Sequence, residues 1–124
     1  MASTPATVYA RKSAEVAASK TVAAADSGVV QNVTKDAVVV TLPATAAGLT
    51  VTIRNGGKAD GQVGFSISPN SADKIQGYGL TSADNKDVIN TKATARAGDE
   101  ITLVGDGVDG WFVQNATGVF DREA

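Results

Sequence analysis

Apolar and polar residues alternate one for one along several short stretches of this chain, and glycine or proline cuts each stretch off. Residues 49–54 are the clearest case: Leu49, Val51 and Ile53 fall on one side, and Thr50, Thr52 and Arg54 on the other. Side chains of a strand point to opposite faces in turn, so this pattern predicts a strand with one buried face. Residues 63–68 repeat it with Val63, Phe65 and Ile67 inward, and residues 100–104 with Ile101 and Leu103. In residues 37–42, Val38, Val40 and Leu42 alternate with Val39 and Thr41, which predicts cover on both faces. Pro43 ends that run because proline cannot donate to a ladder. Asn55-Gly56-Gly57 is a turn signal, since a positive φ is cheap there.

Weaker signals add further strands at residues 28–33, 74–76, 110–114 and 119–120, with 88–89 restarting the chain after a polar stretch. Residues 77–87 read as a long surface loop, and 92–97 as an edge or a connection. The sum is about eight short strands at regular turn spacing. That predicts an all-β domain: a small β-sandwich, a jelly-roll-like fold or a barrel.

Residues 1–25 differ from the rest. They are rich in Ala, Ser, Thr and Lys, carry Pro5 and contain no glycine. Val8, Arg11, Lys12, Glu15 and Val16 share a weak helical register, but the apolar face is too small for a stable isolated helix. The reading is an extended or partly helical N-terminal arm over 1–25, followed by a β domain over 26–124.

Composition sharpens this picture at two points. Hydrophobic residues make up 43% of the chain, yet only 5% is aromatic, and alanine and valine dominate. Alanine burial contributes little, so the core of one copy is thin and self-association is expected. The net charge is −2, which gives no basic face for nucleic acid. The first twenty residues run the other way, with Arg11, Lys12 and Lys20 against Glu15 alone. No apolar run reaches the roughly 20 residues of a membrane span, and the N-terminus lacks the apolar stretch of a signal peptide. No membrane partner is therefore expected.

Candidate chemistry is sparse. The absence of histidine and cysteine removes Ser-His-Asp triads, imidazole and thiolate metal sites, and disulfides. Asp84-Asn85-Lys86-Asp87 lacks the ligand spacing of a calcium loop. Gly105-Asp106-Gly107-Val108-Asp109-Gly110 matches a GxGxxG spacing, but Trp111-Phe112-Val113 follows it where a phosphate site needs a helix. It reads as a hairpin turn. The expectation is a non-enzyme with no catalytic residues, cofactor or metal. Trp111 reads as a core anchor. Tyr78, between Gly77 and Gly79, reads as an exposed contact residue. Val8, Tyr9, Arg11, Lys12 and Lys20 are the partner-binding candidates of the arm.

The order of Asp26-Ser27-Gly28, the Val-Thr-Leu-Pro-Ala run at 40–44, Gly48-Leu49, and Gly98-Asp99 leading to Leu103-Val104-Gly105-Asp106-Gly107 and Trp111 resembles small β-rich virion proteins of tailed bacteriophages, particularly head-decoration (cement) proteins. The resemblance covers roughly residues 26–115. It implies a non-enzymatic structural protein, usually a homotrimer, made in the host cytoplasm. It would sit on the outer surface of the virion capsid, bind the major capsid protein between capsomers and stabilise the head. Some members engage the shell through an N-terminal arm, which residues 1–25 match in character only. Similar sequence texture occurs in tail-fibre and receptor-binding modules, including glycan-binding ones, and this is the alternative. The chain is expected to be complete, with a Met start and no repetitive shaft, which favours decoration.

Overall fold

The computed structural model describes residues 12–124. They form eleven strands: β1 (Ser13–Val16), β2 (Lys20–Thr21), β3 (Val30–Val33), β4 (Val38–Thr41), β5 (Thr50–Asn55), β6 (Phe65–Ser68), β7 (Lys74–Gln76), β8 (Val88–Asn90), β9 (Glu100–Gly105), β10 (Gly110–Thr117) and β11 (Asp121–Arg122). A single 3-10 turn at Ala24–Asp26 is the only helical piece among the described residues. The all-β expectation holds. Eleven strands replace the expected eight or so because several edge pieces are only two or three residues long.

The strands make two sheets, in the orders β1-β3-β5-β9-β10-β7 and β11-β8-β6-β4-β2. Of the three architectures expected, the sandwich is the one formed. The chain starts by stepping from one sheet to the other at each strand. As a result β1, β3 and β5 lie side by side in parallel, and so do β2, β4 and β6. This departs from a jelly roll, whose strands pair antiparallel. Antiparallel pairing begins afterwards, in β6–β8, β5–β9, β9–β10 and β8–β11. β7 then pairs in parallel with β10.

The inward faces of both sheets meet in one apolar cluster. Val33, Ile53, Ile101, Leu103 and Trp111 come from the first sheet, and Val40, Phe65, Ile67 and Val88 from the second. Alternation explains this: Val51 and Ile53 are buried while Arg54 is exposed, and Phe65 and Ile67 are buried while Ser66 and Ser68 are half-buried. Trp111 is completely buried, as expected of a core anchor. The Gly105–Gly110 segment joins β9 to β10 as a hairpin turn.

The boundary of the expected arm is corrected by the described part of it. From Ser13 the chain is already in the sandwich: β1 pairs with β3 and β2 with β4. Val16 and Val22 are buried in the core. The alternation in Ser13-Ala14-Glu15-Val16 is weak because Ala14 is one of its two inward positions. Residues 1–11 lie outside the described residues.

A polar bridge crosses the core between the sheets. Asn55 of β5 donates from Nδ2 to Val63 O at 2.7 Å and to Oδ1 of Asn90 on β8 at 2.8 Å. Asn90 Nδ2 donates in turn to Asp99 Oδ2 and to Val119 O, each at 3.1 Å. Buried amides must be partnered, so this chain fixes the segments at its ends. One of those ends is residues 118–119, which carry the site described next.

Candidate interaction site

The loop after β7 turns on Gly77, Tyr78 and Gly79, with φ of 93°, 55° and 73°. Leu80 N–H closes it by donating to Gly77 O at 3.0 Å. Glycine takes a positive φ without strain, but a tyrosine there costs on the order of 1 kcal/mol or more. The ring is 48% exposed, so burial does not offset that cost. One contact holds it: Tyr78 Oη donates to Gly118 O at 2.6 Å.

Gly118 is a fixed landing point. Its φ is +109°, and a Cβ there would collide with the Asp99 carboxylate beneath it. Asp99 is buried, and its Oδ2 accepts from Arg96 N–H at 2.9 Å as well as from Asn90. Val119 is held through its carbonyl by Asn90 while its side chain stays 45% exposed. Phe120 then anchors the strand end in the core, edge-on to Phe65 at 6.2 Å between centroids. Tyr78 and Val119 thus present an aromatic ring and a branched aliphatic group on a rigid base. A cleft of about 310 Å³ opens beside them, lined by Leu80, Thr81, Arg122 and Glu123 among others. Such a surface can bury apolar area against a partner with little loss of side-chain freedom.

The remaining candidates lie elsewhere. Lys12 is exposed, and its carbonyl accepts from Val30 N–H at 2.8 Å at the start of the β1–β3 ladder. Lys20 is in register with buried Val40 and points inward between the sheets, with Nζ donating to Gln31 Oε1 at 2.9 Å. Val8, Tyr9 and Arg11 fall outside the described residues. β1 and β7 are opposite edges of the six-stranded sheet. At about 4.8 Å per strand spacing, Tyr78 and the lysines are on the order of 20 Å apart and share no patch.

Two further depressions complete the surface. A cleft of about 710 Å³ runs past Asp60, Arg96, Asp99, Thr117 and Gly118. Its one buried carboxylate, Asp99, is engaged by Asn90 and Arg96, so it serves the scaffold. A groove of about 420 Å³ on the outer face of the six-stranded sheet is lined by Gly28, Thr50, Thr52, Thr102, Gln114 and Asn115. There the hydroxyls of Thr52 and Thr102 bond each other at 2.9 Å across β5 and β9. A bulge in β10 between Val113 and Asn115 raises one wall. Among the described residues, no group of three or more acidic side chains is placed to hold a metal ion, and no helix is long and apolar enough to cross a membrane.

No protein-family model matches the chain, and no curated protein matches it. The half-buried Lys20–Gln31 pair and the Asn55–Asn90–Asp99 bridge are not legible in the sequence. Their polar letters sit in strands or turns with nothing to mark them as inward. The only usable signal for Tyr78 is the pair of glycines around it.

Proposed function

We propose that this protein decorates the outside of a tailed-bacteriophage head, as a homotrimer that binds the major capsid protein between capsomers and holds the shell together. The observation that carries a surface-binding role is Tyr78: an exposed ring, in a backbone conformation that disfavours it, pinned to a rigid base through Gly118. Strain of this kind persists where a surrounding structure over-determines it, and it is common at binding sites. The resemblance over residues 26–115 supports the head as the location. The thin, valine-rich core supports association of copies.

Cementing needs no catalysis. A protein that binds the assembled shell and not its separate subunits shifts the equilibrium toward assembly by its differential binding energy. Modest binding at each of many symmetric sites then adds to a large effect. The test is to strip particles of this protein, add it back, and measure capsid occupancy and heat resistance. Wild-type protein should restore both. Undecorated particles as heat-resistant as decorated ones would overturn the reading.

A second reading, a tail receptor-binding module, is favoured by the outer-face groove. Its lining of hydroxyls and amides, with no charged side chain, suits a neutral glycan. Loss of adsorption with unchanged particle stability would select it.

A further inference from the structure

Among the described residues, no strand pairs with the outer side of β1 or β2, and this edge lacks one kind of group. In a parallel ladder a residue's N–H and C=O point to the same side, and successive residues alternate. Lys12 O and Val16 O both accept from the β3 side, from Val30 N–H and Thr34 N–H. The backbone groups of Ser13 and Glu15 therefore point off the free edge. Inside that edge, Lys20 Nζ has Gln31 Oε1 as its partner, a neutral acceptor. Gln31 is fully buried, and its Nε2 has no partner among the described residues. The residue of β1 beside Gln31 is Ala14, whose side chain is a single methyl group. Among the described residues, the edge thus holds a half-buried ammonium whose partner is neutral and a buried amide donor without an acceptor. A buried donor is costly to leave unpaired.

We propose that the β1 edge docks an extended segment of a partner protein that carries a carboxylate on its core-facing side. Its backbone pairs with Ser13 and Glu15. Its carboxylate reaches over Ala14 and accepts from Lys20 Nζ, and from Gln31 Nε2 once that buried amide turns toward the edge. Two other occupants fit less well. Residues 1–11 of this chain contain no Asp or Glu. A second copy pairing β1 against β1 would bring its own inward residues, Ala14 and Val16, and its Glu15 would lie on the outer face. The inference stands apart from the decoration reading, because it concerns only what the edge accepts.

The test uses isotope-labelled full-length protein and two acetylated, amidated heptapeptides, Thr-Val-Thr-Glu-Thr-Val-Thr and its Gln counterpart. The Glu peptide should shift the amide signals of Ser13 and Glu15 saturably. The Gln peptide should bind about tenfold more weakly, the scale of one charge-assisted hydrogen bond. Lys20→Met should remove the difference between the two peptides, and Lys20→Arg should keep it. Ser13→Pro deletes an N–H that points away from β3, so the fold should survive while both peptides lose binding. Equal affinity of the two peptides for the wild type, or undiminished binding by Ser13→Pro, would overturn the proposal. So would concentration-dependent shifts of the same amides without peptide, which would assign the edge to a second copy.

Discussion

Strands β1 to β4 each pair in parallel with a strand one circuit further along the chain: Ser13 with Val30, Lys20 with Val40, Val30 with Thr52, Val38 with Phe65. Strands β9 and β10 pair antiparallel across a tight turn, Trp111 with Gly105. Side-chain pattern does not separate the two regions: β5 and β6 of the first and β9 of the second all alternate large apolar residues with threonine, serine or charged ones. What differs is the length of chain that must be closed before a pair forms. Closing a long loop costs entropy before any contact offsets it, and parallel pairing is slightly weaker per residue. The antiparallel hairpin should therefore form early and open last, and the wound region, ending at the β1/β2 edge, should open first.

The largest test of that contrast is Trp111→Ala. Trp111 is the biggest buried side chain and sits at the start of β10. Its loss should destabilise the free protein by about 3–5 kcal/mol in urea unfolding. A loss under about 1 kcal/mol would mean that the hairpin is not the centre of the core. Next comes Asn90→Ala, which cuts the polar bridge and leaves Asn55 and Asp99 short of a partner. That should cost about 1–3 kcal/mol. It should also loosen residues 118–119, which lose the bond to Val119 O. Val16→Ala, at the outer edge of the wound region, should cost less, about 1–2 kcal/mol. In hydrogen exchange, the β1 and β2 amides should then exchange well before those of β9 and β10. Equal protection of all four strands would erase the contrast.

The decoration reading has its own place on this scale. Tyr78→Gly relieves the positive-φ strain and loses one exposed hydrogen bond, so stability should change by less than about 1 kcal/mol. Shell occupancy should fall sharply. A parallel loss of stability would show that Tyr78 acts as a fold residue instead of a contact.

The legible and illegible parts of the sequence follow the same division. The strands at 38–41, 50–55, 65–68 and 100–105 are visible because large β-branched or aliphatic residues recur at period two. β1 is not, because Ala14 is too small to mark an inward position and the alanines around it suit a helix as well. Parallel pairing is not legible either: alternation gives the face of a strand and says nothing of its neighbour. The site divides likewise. Glycines flanking Tyr78 announce a turn, and exposure follows. That Gly118 would be its anchor depends on Asp99 and Asn90, which meet only through long-range pairing of β8 and the approach to β9.

The smallest test compares two carboxylates, one from each region. Asp106 lies in the β9–β10 turn and is held below the usual carboxylate range by backbone N–H groups, first that of Gly110 and then that of Val108. Asp36 lies between β3 and β4 and is lowered first by Gly64 N–H and then by the Lys92 ammonium, at 3.1 Å. Both groups have lower pKa values folded than unfolded. Their contributions are therefore present at neutral pH and are lost as acid carries the pH down through the folded values. The difference lies in salt. Asp106 is held by neutral N–H groups of its own turn, and its contribution should be insensitive to ionic strength. Asp36 leans partly on an exposed ion pair that reaches from one loop to another, which salt screens. Acid unfolding of Asp36→Asn and Asp106→Asn at low and high salt measures this. The Asp36 effect should shrink at high salt and the Asp106 effect should not. Equal shrinkage would mean that the turn of the hairpin is no more self-contained than the long-range contacts of the wound region.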